Sequence, residues 1–228
     1  PEWTDEERKA ILAARGIADA KVRPQVAASL RNPRLLGIAL ELLKSVQIQE
    51  LEELSVSRLL FEHMRIQERD AHSPRPAHEF ARTLQDHARE ILDRVRGRQQ
   101  DDIKVFDGAL EAVSDGRFFV PIKGDPTRYS LDEDSLPLAL GFAIRDELRK
   151  ALRNKRDLDD ALKAIIEPIS ALDRTADAVF AALTIACLDD DCPIEIGTTI
   201  AEAFAGLQNL NDDDFSAFAG LALKRPDV

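Results

Sequence analysis

Residues 117–131 carry the one clear strand pattern of this sequence, and that pattern limits the folds open to the chain. Residues 118–122 are β-branched and aromatic, residues 124–126 (Gly-Asp-Pro) have turn chemistry, and residues 128–131 alternate. The stretch predicts a β-hairpin. A lone hairpin is only marginally stable in water and must pack against other elements. We therefore expect a mainly α protein that holds one hairpin against its helices.

Helical hydrophobic periods fill residues 1–72, the first predicted domain. The first helix pattern opens on a capping box formed by Thr4 and Glu7. The third opens on Pro33 and continues as a leucine-rich run, because proline is well tolerated in the first turn of a helix. The prolines within residues 72–78 cannot continue a helix, so the first domain boundary is placed there.

Residues 73–156, the second predicted domain, have the element order of a winged-helix domain. Helix patterns over residues 79–98 and 105–116 precede the hairpin, and a further helix pattern over residues 135–152 follows it. Because the hairpin needs a helical surface to pack on, these helices are expected to enclose it.

The helix after the hairpin is apolar on more than one side. Leu136, Leu138, Leu140 and Phe142 lie close together in it. Such a helix is usually buried on more than one face. We expect it to pack both on the winged-helix core and on the first helices after Asp157.

Residues 157–228, the third predicted domain, are acidic, helical and repeated in layout. Two helix patterns each run into an acidic loop, at residues 189–191 and 212–214, which is the layout of helical repeats. The segment holds 4 Lys/Arg and 15 Asp/Glu and so carries the whole net charge of −11, whereas residues 1–156 balance 27 against 27. The acidic triplets lack the order of a calcium loop and are interpreted as helix N-caps.

Composition favours an ordinary soluble, cytoplasmic protein. The chain is 44% hydrophobic and 32% charged. No apolar run reaches the roughly 18 residues of a membrane span, and no secretory leader is recognisable.

Cys187 and Cys192 are expected to be buried free thiols in a reducing compartment. Because the sequence starts at Pro1 and its single methionine is Met64, we expect a fragment of a longer protein.

Motifs for catalysis, cofactor binding or metal binding are missing from the sequence. It has no phosphate-binding loop, no Gly-x-Gly-x-x-Gly turn and no Gly-x-Ser-x-Gly elbow. Four histidines, His63, His72, His78 and His87, lie within 25 residues but lack the spacing of a zinc site. The chain alone is therefore expected to bind no cofactor or metal and not to hydrolyse ATP.

A row of arginines on one predicted helix suggests DNA binding as a function. Arg82, Arg89 and Arg96 recur every seven residues along one predicted helix, and winged helices often bind DNA. Residues 74–156 hold 16 basic and 15 acidic groups, however. This region therefore lacks the excess of positive charge that nucleic-acid-binding domains carry. Two functions stay open on these grounds, a winged-helix DNA-binding regulator and a helical protein-binding scaffold.

Residues 32–36 (Asn-Pro-Arg-Leu-Leu) precede a leucine-rich helix pattern and then the sequence LLFEHMRIQERD at residues 59–70. This arrangement resembles the region that follows the nucleotide-binding core in STAND-type P-loop NTPases of the NACHT kind. In that family an Asn-Pro-x-Leu-Leu segment belongs to a small helical lid, which is followed by a winged helix and by repeats that sense a ligand. Residues 116–140 look like the family's wing and the helix after it.

The resemblance implies that residues 1–72 are the lid and that Pro33 lies against the adenine of a bound nucleotide. ATP or ADP with Mg²⁺ would be held by an NTPase core upstream, and a protein ligand by C-terminal sensor repeats. Glu133 stands where many members carry histidine near the β-phosphate, and its carboxylate would repel phosphate. The implied role is signalling, as in the antiviral defence of bacterial members, with this chain coupling nucleotide state to ligand sensing.

Overall fold

The computed structural model describes residues 2–19, 22, 24–45, 55–70, 79–97, 106–107, 118–207, 210 and 212–228. These ranges contain ten α-helices and one antiparallel sheet, which confirms the mainly α class. The helices are α1 (Asp5–Ala13), α2 (Pro24–Ser29), α3 (Pro33–Ser45), α4 (Val56–Asp70), α5 (Glu79–Val95), α6 (Leu136–Arg153), α7 (Leu158–Ser170), α8 (Thr175–Leu188), α9 (Ile194–Ala205) and α10 (Asp212–Ala222). The strands are β1 (Phe106–Asp107), β2 (Phe119–Ile122) and β3 (Asp125–Leu131), and a short 3₁₀ turn spans Glu133–Ser135.

The predicted capping box at the start of α1 is confirmed. The Thr4 hydroxyl accepts a hydrogen bond from the Glu7 backbone N–H at 3.2 Å, and the Glu7 carboxylate accepts one from the Thr4 N–H at 2.8 Å. These bonds satisfy two of the backbone donors that a helix start leaves unpaired. The helix then buries Leu12 in the core.

The predicted hairpin is confirmed as β2 and β3, with a turn that differs slightly from the prediction. Phe119 pairs with Leu131 and Val120 with Ser130. The two strands are joined by residues 123–124, where Gly124 has a φ of 97°, which favours glycine. Residues 125–126, predicted as turn residues, belong to β3 instead.

The predicted helix over residues 105–116 is wrong at its start. Phe106 and Asp107 form β1, which pairs antiparallel with Tyr129 and Arg128 and completes a sheet of order β1-β3-β2. The free edge of β3 offers backbone hydrogen bonds, and this tertiary pairing overrides the local helical pattern. The remainder of that prediction, residue 105 and residues 108–116, and the whole proline-rich boundary at residues 72–78 lie outside the described residues.

Helix α6 confirms the prediction for the helix after the hairpin. Leu138, Leu140 and Phe142 are all buried in it. The helix packs on α5 of the second predicted domain and also on α7 and α8. Its contact with α8 is the most extensive between any two described elements. The predicted boundary after residue 156 is therefore crossed by the main packing contact of the protein.

One connected hydrophobic core joins the three predicted segments, from Leu12 in α1 to Leu221 in α10. Helix α8 is buried around nearly its whole circumference, which is typical of a central helix. The layout of helices and short loops from α7 to α10 fits helical repeats. In the described part of the chain, no helix combines the length and apolarity needed to cross a membrane.

Candidate functional site

The segment Asn32-Pro33-Arg34 forms the start of α3. The Asn32 side-chain oxygen accepts a hydrogen bond from the Arg34 backbone N–H at 3.0 Å and so caps the helix. Pro33 is the first helical residue, where its missing N–H costs nothing. Its side chain is exposed. Pro33 is therefore an exposed residue fixed between two neighbours that are held in place.

Both neighbours of Pro33 bind the turn that precedes α6. The Asn32 amide donates to the Asp134 carboxylate at 3.0 Å. Arg34 donates to the same carboxylate at 3.3 Å, to the Ser135 hydroxyl at 3.2 Å and to the Asp132 carboxylate. We call these five residues the lid–wing interlock. It joins the helix start of the first segment to the end of the hairpin segment.

The interlock is partly shielded from solvent. The Arg34 side chain is 11% exposed and the Asp132 side chain 18%, while Ser135 is fully buried. Burial raises the pKa of Asp132 above its ordinary value, and this effect outweighs the opposing influence of Arg34. Asp132 also accepts a hydrogen bond from the Asp134 backbone N–H at 3.0 Å, so it holds the 3₁₀ turn in shape.

A cavity of about 260 Å³ lies beside the interlock. The first segment contributes Val26 and Ser57 to its lining, the 3₁₀ turn contributes Glu133, and α8 and α9 contribute Phe180 and Phe204. We call it the junction cavity, because all three predicted segments line it. It combines an apolar floor with polar groups, as small-molecule sites commonly do.

Pro33, the predicted adenine contact, is not among the described residues that line the junction cavity. Its role toward a nucleotide stays a prediction. Glu133, the other residue that the resemblance singled out, does line the cavity. The site thus brings together Glu133 and the anchors of Pro33, two parts of the sequence that the resemblance had singled out separately.

The arginine stripe of α5 makes contacts within the protein. Arg89 forms an ion pair with Asp146 of α6. Arg96 donates a hydrogen bond to the backbone carbonyl of Ala164 in α7 at 3.0 Å. Arg82 is 83% exposed. Two of the three arginines therefore fasten α5 to neighbouring helices.

The two described histidines of the predicted cluster lie in the core. His63 is 1% exposed and packs near Phe118, and His87 is 2% exposed and packs near Phe119, with ring centroids 6.2 and 6.1 Å apart. Residues 72 and 78 lie outside the described residues. Among the residues that the structure describes, no group of His, Cys, Asp or Glu is arranged to hold a metal ion.

Cys187 and Cys192 are buried free thiols, as predicted. Burial raises the pKa of Cys187 to about 11 and also raises the pKa of Cys192. The thiolate is the reactive form of cysteine, so both side chains are chemically quiet near neutral pH.

The interpretation of the first acidic triplet as a helix N-cap is wrong for Asp189. Asp189 is the C-cap residue that follows α8, and the N-cap of α9 is Pro193. The Asp189 carboxylate instead accepts hydrogen bonds from Arg145 at 2.6 Å and from Arg149 at 3.5 Å. The Asp189 carboxylate also accepts a hydrogen bond from the Asp191 backbone N–H at 3.2 Å and so shapes the loop between α8 and α9. It fastens α6 to the end of α8.

Comparisons with protein-family models, with curated proteins and with solved structures found no match to this chain.

Proposed function

We propose that this chain is the lid, winged helix and first sensor helices of a STAND-type NTPase, and that it couples nucleotide state to ligand sensing. The observation that carries the proposal is the lid–wing interlock. It binds both neighbours of Pro33 to the turn that starts α6. A ligand that contacts Pro33 would therefore act on a segment already connected to the winged helix.

The path from the interlock into the acidic segment is continuous. Ser135 is the last residue before α6, and α6 packs along α8. Packed helices move as rigid bodies, because tightly packed protein interiors deform little. A displacement at Pro33 would in this way reach α8 and the helices after it.

The exposed Pro33 ring suits contact with an adenine, whose faces are apolar. The nucleotide phosphates would bind elsewhere, since Glu133 and Asp134 are acidic and repel them. We therefore assign the phosphates and Mg²⁺ to an upstream core, which would carry the ATPase activity. A cytoplasmic signalling role, as in bacterial antiviral defence, and sensing of a protein ligand rest on the family resemblance.

A DNA-binding regulator is the less favoured alternative. Arg89 and Arg96 already bind groups of α6 and α7, and residues 157–228 carry the whole net charge of −11. Phosphate neutralisation supplies most of the affinity for DNA. A helical protein-binding scaffold differs from our proposal in having no upstream phosphate-binding loop.

The test begins with the coding sequence upstream of Pro1 and continues with the longer protein. We expect a phosphate-binding loop there and binding of fluorescent ADP. Pro33→Ala should weaken ADP binding roughly fivefold, about the loss of one apolar contact. Pro24→Ala is the matched control, because Pro24 is also an exposed proline that starts a helix.

Three results would count against the proposal. They are an upstream sequence with no phosphate-binding loop, no ADP binding by the longer protein, and equal ADP affinity of the Pro33 and Pro24 variants. The last would remove the role of Pro33 alone, and the first two would remove the NTPase assignment.

A further inference from the structure

We propose that the junction cavity binds a small organic amine that carries an apolar or aromatic group. The inference rests on the lining of the cavity alone. It goes beyond the proposed function and does not depend on it. At about 260 Å³, the cavity is near the lower end of the range for ligand sites, so the ligand is small.

The floor of the cavity is aromatic. Phe180 and Phe204 line it, with ring centroids 5.4 Å apart. Phe218 stacks on Phe204 with ring centroids 5.6 Å apart and so restricts the motion of that ring. A fixed aromatic wall favours apolar and aromatic groups of a ligand and also attracts cations to the ring faces.

Carboxylates outnumber cations around the cavity. Glu133, Asp134 and Asp177 line it, against the one guanidinium of Arg174. Arg174 lies 3.4 Å from Asp177, and the Asp134 carboxylate accepts hydrogen bonds from Asn32 and Arg34. Glu133 has no ion-pair partner among the described residues, so its carboxylate is open to a positively charged group.

The hydroxyl of a largely buried serine supplies a further polar contact. Ser57 of α4 lines the cavity and is only 9% exposed. Its hydroxyl has no hydrogen-bond partner among the residues that the structure describes. Its oxygen remains accessible to solvent, so it can form a hydrogen bond with a ligand's amine that enters the cavity. The Ser57 hydroxyl is thus an indication of a binding site that is independent of the carboxylates.

The charges exclude the opposite class of ligand. A phosphate or carboxylate in the cavity would face three carboxylates and one guanidinium, and like charges at short range are repulsive. An amine would be attracted by Glu133 while its apolar group lies against Phe180 and Phe204. Because all three predicted segments line the cavity, a bound amine would also hold them together.

The experiment uses this chain and three probes of similar shape: 2-phenylethylamine, 2-phenylethanol and 3-phenylpropionate. Titrations followed by calorimetry and by backbone NMR give the affinity and the location. We expect the amine to bind with a Kd of about 1 mM or tighter and to shift the signals of Ser57 and Phe204. The carboxylate should bind roughly tenfold more weakly or not at all.

Glu133→Gln removes the charge and keeps the shape, and it should weaken amine binding about fivefold or more. Glu195→Gln is the matched control, since Glu195 is exposed on α9 and is not among the described residues lining the cavity. Thermal melting of both variants confirms that they are folded. Ser57→Ala should weaken binding of the amine and of the alcohol.

The proposal is overturned by any of three outcomes. The amine gives no binding at about 10 mM, the carboxylate binds as tightly as the amine, or Glu133→Gln binds the amine as the unaltered chain does. None of these outcomes bears on the upstream core or on Pro33, so a failure here leaves the proposed NTPase role to its own test.

Discussion

Arg34 contacts three side chains that lie 98 to 101 positions further along the chain, those of Asp132, Asp134 and Ser135. Its side chain is 11% exposed, so these interactions are better shielded from water than surface ion pairs. Removing one partner of a shielded ion pair leaves the charge of the other partner without an opposite charge nearby. At the residue scale, Arg34 is thus the main connection between α3 and the turn before α6.

We expect Arg34→Ala to lower the free energy of unfolding by about 1–3 kcal/mol, because it removes several charge-assisted hydrogen bonds. The matched control is Arg82→Ala, whose side chain is 83% exposed and whose removal should change stability by less than about 0.5 kcal/mol. Urea unfolding measures both. Equal effects of the two substitutions would show that the interlock contributes little.

Asp132 gives the interlock a predicted pH dependence. Burial raises its pKa above the ordinary 3.8, so the folded state binds this proton more tightly than the unfolded state. The resulting stabilisation is complete below the ordinary pKa and is lost as the pH rises through the folded-state pKa. The Asp132→Asn side chain is uncharged, like protonated Asp132. The free energy of unfolding of this variant should therefore not show the loss that comes from ionisation of Asp132.

Unfolding free energies of the unaltered chain and of Asp132→Asn between about pH 3.5 and 6.5 measure this difference. The stability of the unaltered chain should fall relative to the variant as the pH rises. A relative gain over the same range would mean that Arg34 lowers the pKa more than burial raises it.

The two thiols should resist modification. Burial raises the pKa of Cys187 to about 11 and also raises that of Cys192. At about pH 8 a disulfide reagent should label the folded protein slowly and the urea-unfolded protein rapidly, at both cysteines. Labelling of the folded protein as fast as the unfolded protein would contradict the burial of these side chains.

The sequence could identify some residues of the candidate site but not their arrangement. Pro33 and Glu133 were singled out by the family resemblance, and both lie on or beside the junction. The pairing of Arg34 with Asp132 joins positions 98 residues apart. Local periodicity carries no information about such contacts, and both residues alone look like ordinary surface charges.

At the scale of elements, α6 is the central connection. Gly141 lies where α6 meets α8 most closely. A Cβ atom at this position would lie 2.8 Å from the Ala182 backbone nitrogen and 2.9 Å from the Ala181 carbonyl carbon. Only a residue without a side chain permits this approach of two helix backbones.

Gly141→Ala should therefore destabilise the protein by about 1–3 kcal/mol despite its better helix propensity, because the backbones of α6 and α8 must separate. Gly206→Ala is the control, since the nearest atom to a Cβ there is the Glu202 carbonyl oxygen at 3.4 Å. Thermal unfolding compares the two variants. Stabilisation by Gly141→Ala would mean that the helices are not in close contact.

Helices with strong local patterns could be predicted from the sequence, and short elements that depend on distant partners could not. Helix α8 spans residues 175–188 and runs into the acidic loop at residues 189–191, as its pattern predicted. The hairpin was also predictable, since its turn and alternation are local. Strand β1 has only two residues and forms because β3 offers a free edge.

In the molecule as a whole, we predict that the three predicted segments behave as one body. Phe142 tests it well, because the ring is 1% exposed and lies 6.1 Å from the ring of Phe61 in α4. Phe142 also lies on the helix that packs on α5 and α8. It thus belongs to the contact of all three segments.

The most direct measurement is hydrogen exchange of Phe142→Ala, with Phe215→Ala as the control because Phe215 is 53% exposed. Phe142→Ala should cost about 3–5 kcal/mol of unfolding free energy. Protection should fall together in α4, α5 and α8, while Phe215→Ala leaves all three unchanged. If α8 keeps its original protection in Phe142→Ala while α5 loses it, the segments unfold independently and the claim of one body is wrong.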